Sequence, residues 1–193
     1  MDKNTWEERQ DKFQYRWFKY HGDNELEEDK SSKMLYKLVL NKFGELSDVD
    51  FKCKNVLEVG CGAYPYIHWA VNCNRYAIEP LKEKYLDLNP NYCNFIEVAG
   101  VPAEEHLTRF ENKFDIVLLW NCLEYMFDWR KALDNVYSYM KNGGVFVFGF
   151  KHPDVNYEKV EMDAICTYIA NKFDIKKIGI DFRKPYVLFK VVK

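Results

Sequence analysis

Two carboxylates 21 residues apart, Glu58 and Glu79, with the alternating glycines Gly60 and Gly62 between them, are the part of this chain best suited to chemistry. Glu58 sits inside the apolar run Val56-Leu57-Glu58-Val59. Val56, Leu57 and Val59 suit a strand buried on both faces, as in a parallel sheet covered by helices. Gly60 and Gly62 remove side chains where a tight turn leaves that strand, so a ligand can approach the backbone. Pro65 is tolerated in a first helical turn, where its missing N–H would lack a partner anyway. Glu79 ends a second strand-like run that starts at Arg75. An acid there accepts both hydrogen bonds from a ribose diol, and its charge rejects a 2′-phosphate. A bare turn with a carboxylate one strand over makes a slot for a nucleotide-like molecule.

His152 is a second candidate, placed just beyond a further strand in Phe150-Lys151-His152-Pro153-Asp154. With an ordinary pKa near ~6.5 it suits a base that accepts a hydroxyl proton. His68 lies on the short helix after the glycine turn and reads as packing, while His21 and His106 carry no assignment. The six cysteines form no C-x-x-C pair and no Cys/His ligand cluster, so no metal is expected. Reduced thiols in the cytoplasm are the simplest reading of that pattern.

The elements that must hold these groups alternate from Lys54 onward. Strands are expected at Val56–Val59, Arg75–Glu79, Asn94–Val98, Phe114–Leu119 and Val145–Phe150. A short helix over Tyr66–Val71, one over 81–88 and one over Trp129–Met140 lie between them, with Asn142-Gly143-Gly144 as stop and turn. A last helix over about 158–172 precedes two runs, Asp174–Ile180 and Tyr186–Val192. The link between those runs is too short for a crossover helix, so they pair as an antiparallel hairpin.

Upstream, Thr5-x-x-Glu8 resembles a capping box, and Trp6, Phe13, Trp17 and Tyr20 recur at near-helical spacing. That aromatic face either packs on the body of the domain or forms a lid with Tyr15, Arg16 or Lys19 reaching inward. A second helix is expected over roughly 29–43. No Pro/Gly/Ser-rich linker isolates these segments. The chain therefore reads as a single domain over 1–193, with 1–50 a helical cap and 51–193 an α/β core.

The Glu-x-Gly-x-Gly of Glu58, Gly60 and Gly62 and the layout of residues 50–193 resemble the class I S-adenosylmethionine-dependent methyltransferases of small-molecule type. The resemblance implies a Rossmann-like three-layer α/β sandwich. Its sheet would have seven mostly parallel strands in the order 3-2-1-4-5-7-6, the last strand antiparallel. It implies S-adenosylmethionine as cofactor, held at the first motif by Glu58, Gly60, Cys61 and Gly62. Glu79, followed by Pro80, matches the second-motif acid. Val101-Pro102-Ala103-Glu104 is similar to the loop beside adenine, with Ala103 and Glu104 the closest matches. Trp120-Asn121-Cys122-Leu123-Glu124-Tyr125 resembles the fourth motif, an Asn-x-Leu-Glu-His run in which Tyr125 here replaces the His. Trp120 and Asn121 would then line the cofactor, and Asn121 and Tyr125 would shape the reaction site beside His152.

One departure stands at position 64, where the family often has a third glycine and this chain has Tyr64 before Pro65. The Tyr64 ring either weakens cofactor binding or covers the methionine moiety. Pro65 also stands where a dinucleotide fingerprint would need its third glycine, which counts against an NAD enzyme. The fourth motif is not the Asp/Asn-Pro-Pro-Tyr signature of nucleobase amino-group methylation.

The bulk properties narrow the acceptor. A formal charge of −2, with both signs interspersed, argues against a general nucleic-acid binder. No apolar run approaches a membrane span. No segment is long enough for a large substrate-binding insertion, which favours a small or medium polar acceptor, or a group presented on a larger surface, methylated at O or N. The alternatives are methylation of protein or RNA and a non-catalytic module that keeps the fold. Arg16-Trp17-Phe18-Lys19-Tyr20-His21, a basic and aromatic run, supports the RNA reading, and Tyr64 supports the module.

Overall fold

The computed structural model describes residues 4–8, 10, 12, 51–63, 65–88, 90–120, 122–151, 159–181 and 186–193. The expected helix over 29–43, the Arg16–His21 run, Tyr64, Asn121 and His152 lie outside the described residues.

Seven strands form one sheet in the order β3-β2-β1-β4-β5-β7-β6. They are β1 (Asn55–Val59), β2 (Asn74–Ile78), β3 (Glu97–Ala99), β4 (Phe114–Trp120), β5 (Met140–Lys151), β6 (Asp174–Asp181) and β7 (Tyr186–Val192). The first five pair in parallel, while β7 runs antiparallel to both β5 and β6. The strand order, the parallel block and the closing hairpin agree with the sequence reading.

Alternation along β1 assigns the two faces. Leu57 and Val59 point into one core with Val117, Leu119 and Phe146. That side is covered by α2 (Trp129–Tyr139) and α3 (Lys159–Lys172), through Leu133, Val136, Ile165 and Ile169. Val56 points into the other core with Ala77, Ile116, Ile67 and two tyrosines, Tyr85 and Tyr92. Tyr85 comes from α1 (Lys82–Leu88). Fully buried aliphatic and aromatic side chains of this kind contribute about 1.5–3 kcal/mol each. The resulting rigidity fixes the carboxyl ends of the strands, where the glycine turn lies.

Three local expectations are corrected. The strand expected from Asn94 begins only at Glu97, because Asn94 and Ile96 donate their N–H groups to the turn carbonyls of Asn91 and Cys93. Phe95 there takes a left-handed φ of +65° and is 82% exposed, so it leaves the sheet altogether. Asn142-Gly143-Gly144 is not a turn before β5 but part of it. Gly143 takes φ +75° beside a register shift between Phe114 and Ile116, and a Cβ on Gly144 would lie 2.8 Å from the Lys141 carbonyl. Helix α2 runs straight into the strand at Met140, with the glycines absorbing the bulge. Finally, Thr5 is itself helical, so the N-terminal helix starts earlier than a cap at Thr5 allows.

Candidate active site

The site is built at the carboxyl ends of β1, β2 and β4, where the strand order reverses between β1 and β4 and a parallel sheet opens a crevice. Gly60 and Gly62 both take left-handed φ, +68° and +60°. Their neighbourhoods differ. A Cβ on Gly60 would stand 2.6 Å from Cys122 Cβ, whereas one on Gly62 would meet nothing within 4 Å among the described residues. Gly60 is thus bare so that the chain after β4 can close over β1. Gly62 is bare facing open space, the room a ligand needs at the backbone.

Glu79 reaches this turn from the end of β2. Its Oε2 accepts from Gly62 N–H at 2.9 Å and its Oε1 from Leu81 N–H at 3.0 Å. Burial pushes its carboxyl above the ordinary range, and the Leu81 and Gly62 amides oppose that. Each carboxylate oxygen retains a second lone-pair direction, so the diol expected from the sequence still has acceptors. The donor set and the open Gly62 face fit an adenosine-type ligand.

Glu58 projects from β1 into the core face that holds Val56, is 1% exposed, and accepts from Ile67 N–H at 3.0 Å. Ile67 belongs to the 3-10 turn Tyr66–Trp69, which takes the place of the short helix expected to run to Val71. Glu58 therefore caps that turn and braces the glycine turn from behind. Burial, with the Glu79 charge adding to it against the Ile67 and Tyr66 amides, pushes its carboxyl up to about 8.

Cys61 is also buried, beneath the turn. Tyr92 Oη donates to the Gly62 carbonyl at 2.7 Å, so the Cys61 thiol donates to Tyr92 Oη at 3.2 Å. Burial and the charges of Glu79 and Glu58 hold the thiol well above its ordinary pKa, which rules it out as a nucleophile. Tyr92 was not visible as a site residue in the sequence; it clamps Gly62 from 30 residues away.

The side facing away from β2 is formed by the segment after β4. Trp120 closes β4 and lays its ring over Gly149 of β5, where a Cβ would come within 2.4 Å of it. Cys122 donates its thiol to the Val59 carbonyl at 3.1 Å. The 3-10 turn Leu123–Tyr125 follows, and Tyr125 is 40% exposed at its end. Glu104 was assigned to adenine by resemblance. It is 1% exposed and its Oε1 accepts from Phe127 N–H at 2.7 Å and Asp128 N–H at 3.1 Å. That oxygen is committed to the loop after β4, so Glu104 ties the loop assigned to adenine to the segment ending in Asp128. From the N-terminal helix, Trp6 donates Nε1 to the Tyr125 carbonyl and sets its ring against Phe127 at 5.5 Å. Gln10 adds a longer bond to the same carbonyl, 3.3 Å. Of the two readings of the aromatic face, this contact puts Trp6 on the rim of the site.

Pro80 and Pro102 are half-buried beside these loops, and Ala103 is buried with its carbonyl bonded to Asn135 Nδ2 at 2.9 Å. His106, unassigned from sequence, sits between Asn135 Oδ1 at 3.1 Å and Glu111 Oε1 at 2.8 Å, stacked on Tyr139. Both of its nitrogens face acceptors, which raises its pKa. His68 is exposed rather than packed, its carbonyl taken by Arg75.

Against known proteins, residues 31–169 match a family model described as a methyltransferase domain. No curated protein matches the chain in sequence. Among solved structures, the N-methyltransferase NodS from Bradyrhizobium japonicum WM9 is 19% identical with a TM-score of 0.62, covering 83% of this chain and 94% of that one. The 1,6-didemethyltoxoflavin-N1-methyltransferase of Burkholderia thailandensis is 12% identical with a TM-score of 0.64, covering 93% and 85%. The [4+2]-cyclase SpnF is 13% identical with a TM-score of 0.63, covering 83% and 80%. At such identities the likeness establishes the fold, and SpnF illustrates that one fold hosts more than one reaction. The family match is the stronger finding, because it spans more than half of the residues: this chain belongs to the methyltransferase-domain family, enzymes whose methyl donor is S-adenosylmethionine.

Proposed function

We propose that the protein transfers a methyl group from S-adenosylmethionine to an oxygen or nitrogen of a small or medium polar acceptor. The observation that carries this is the open face above Gly62, with the Glu79 carboxylate 2.9 Å from its amide. NodS is an N-methyltransferase, and the Burkholderia enzyme was solved with 1,6-didemethyltoxoflavin and S-adenosylhomocysteine bound; both support a small acceptor.

When bound, the cofactor supplies a methyl carbon made electrophilic by a sulfonium. The chain has to place a nucleophile in line with it and keep water out. Glu79 accepts the ribose hydroxyls, the bare turn at Gly60 and Gly62 admits the nucleoside, and Pro80, Pro102 and Ala103 flank its base. The Tyr64 ring would either cover the methionine end or weaken binding there, and Trp120 and Asn121 are assigned to the cofactor by the fourth-motif resemblance. Asn121 and Tyr125 orient the acceptor, and His152 takes the proton when the acceptor is a hydroxyl; a neutral amine needs only positioning. Residues 1–50 cap this core within a single domain. None of the six cysteines is in a disulfide, which supports a reducing, cytoplasmic setting.

Calorimetric titration with S-adenosylhomocysteine should give a saturable signal, and no heat rejects the proposal. Incubating cell extract with the protein and methyl-labelled cofactor should yield a labelled product by mass spectrometry, which names the acceptor. His152→Ala should then slow its turnover while leaving cofactor binding intact; equal rates dismiss it as the base.

A further inference from the structure

The segment from Cys122 to Asp128 touches the rest of the molecule on three sides, and each contact uses a group whose other job would have been elsewhere. Glu104, from the loop after β3, gives one oxygen to the amides of Phe127 and Asp128. Trp6, from the N-terminal helix, gives its indole N–H to the Tyr125 carbonyl and its ring to Phe127. Cys122 gives its thiol to Val59 at the end of β1, against the bare α-carbon of Gly60. Within the segment, the 3-10 bonds from Tyr125 N–H to the Cys122 carbonyl and from Met126 N–H to the Leu123 carbonyl form a short turn. One short turn of that kind is weak by itself. Its conformation is imposed from outside.

The two distant anchors are of unequal strength. A hydrogen bond to a carboxylate is stronger than one to a neutral carbonyl. Glu104 is 1% exposed and serves two donors at once, so removing it strands two amides at the entrance to α2. Asp128 caps α2 through Lys131 N–H at 3.1 Å, which ties the same point to the helix. The partner loop is itself pinned, since the neighbouring Ala103 carbonyl is held by Asn135 of α2.

We infer that Glu104 is a positioning residue for the reaction side of the site. Its carboxylate fixes the Cys122–Asp128 segment, with Trp6 as the second anchor, so the loop beside the nucleoside and the loop beside the acceptor move as one. This rests on the proposed function for the identity of the ligand, but not for the anchoring. Glu104 touches neither ligand nor reacting atoms in this assignment; it acts through Tyr125, Phe127 and Asp128.

Amide hydrogen exchange on the full chain tests it, with and without S-adenosylhomocysteine as the probe. In the ligand-free protein, Glu104→Ala should speed exchange at Phe127 and Asp128 by roughly tenfold or more, the loss of bonds to a charged acceptor. Amides of Val117 and Leu118 in β4 should keep their rates. Glu104→Gln retains a carbonyl oxygen and should restore most of the protection. In the wild type the probe should slow exchange across Tyr125–Asp128; in Glu104→Ala it should still bind, within about threefold, yet no longer slow that segment. Should Glu104→Ala not fold, Trp6→Phe keeps the ring and drops the N–H, and should speed Tyr125 and Met126. Unchanged ligand-free rates at Phe127 and Asp128 in Glu104→Ala, or at Tyr125 and Met126 in Trp6→Phe, overturn the inference. Absence of probe binding to the wild type overturns the proposed function instead, and the ligand-free rates still decide the anchoring.

Discussion

The two halves of the crevice are held in opposite ways. On the β1–β2 side, the two buried acids accept from backbone close to them in sequence or one strand away, and Tyr92 reaches the turn from 30 residues off. Glu58 caps Ile67, Glu79 takes Gly62 and Leu81, and Tyr92 clamps Gly62. On the β4 side the turn is held by groups from remote parts of the chain, with Trp6 lying 119 residues from Tyr125. The first half is a preformed cradle, and the second is a loop assembled by docking. A cradle suits an invariant ligand, whereas a docked loop can be re-set to a different acceptor without disturbing the sheet. Among the described residues, the N-terminal helix bonds to the second.

The contrast is easiest to break at Gly60. Gly60→Ala combines a left-handed backbone with a 2.6 Å clash against Cys122 Cβ, and should cost about 3–5 kcal/mol in denaturant unfolding. Gly62→Ala meets no neighbour within 4 Å among the described residues, so it should cost only about 1 kcal/mol of stability. It should still weaken S-adenosylhomocysteine binding, because the added methyl enters the ligand's space. Similar stability losses at the two glycines would erase the distinction between a packing glycine and a ligand-facing one.

Next in size is Glu79→Ala. It should weaken S-adenosylhomocysteine by roughly 2–4 kcal/mol if the carboxylate holds two ribose hydroxyls. Glu104→Ala, equally buried, should leave that affinity almost unchanged. Equal losses at both acids would mean that the two halves are not separable.

Glu58→Gln sharpens the account of the cradle through pH. The Glu58 carboxyl is raised from 4.5 to about 8, chiefly by burial. The unfolded chain therefore ionises first, and wild-type stability falls as pH rises through that window, being intact below 4.5 and lost at about 8. Gln keeps an oxygen for the Ile67 amide and carries no charge. The variant should gain on the wild type by about 1–3 kcal/mol between pH 5 and pH 8 in chemical denaturation. A constant difference between the two proteins across that range would show Glu58 to be ionised in the fold.

The smallest effect belongs to His106. Hydrogen bonds to Glu111 and Asn135 raise its pKa from 6.5. Its contribution is complete below 6.5 and fades as pH rises through the higher folded value. His106→Ala should remove that slope and change nothing in cofactor affinity, since the ring sits outside the cradle.

Much of this architecture was legible because strand, turn and helix signals are local. Apolar runs such as Val56–Val59 and Phe114–Trp120 place the parallel strands, and the short link after Asp181 forces a hairpin. Glu79 was legible for the same reason, standing where a strand must end beside the glycine turn. The bonds of Glu104 to Phe127 and Asp128 were not legible, because an acid near a helix start looks alike whether it faces ligand or a neighbouring loop. Tyr92 carried no signal, and the aromatic spacing around Trp6 and the motif around Cys122 did not name their partners, since nothing in the flanking residues specifies a contact tens of residues away.

The sequence by itself determined the sheet, its order and the bare turn, because period, glycine placement and loop length act over a few residues. Tertiary structure alone decided which buried acid faces the crevice and which braces it. Glu58 and Glu104 are both carboxylates near glycine- or proline-marked turns, yet burial leaves each a single set of amides to accept from. That choice is made by the fold, where an unpaired buried charge is the costliest thing to leave behind.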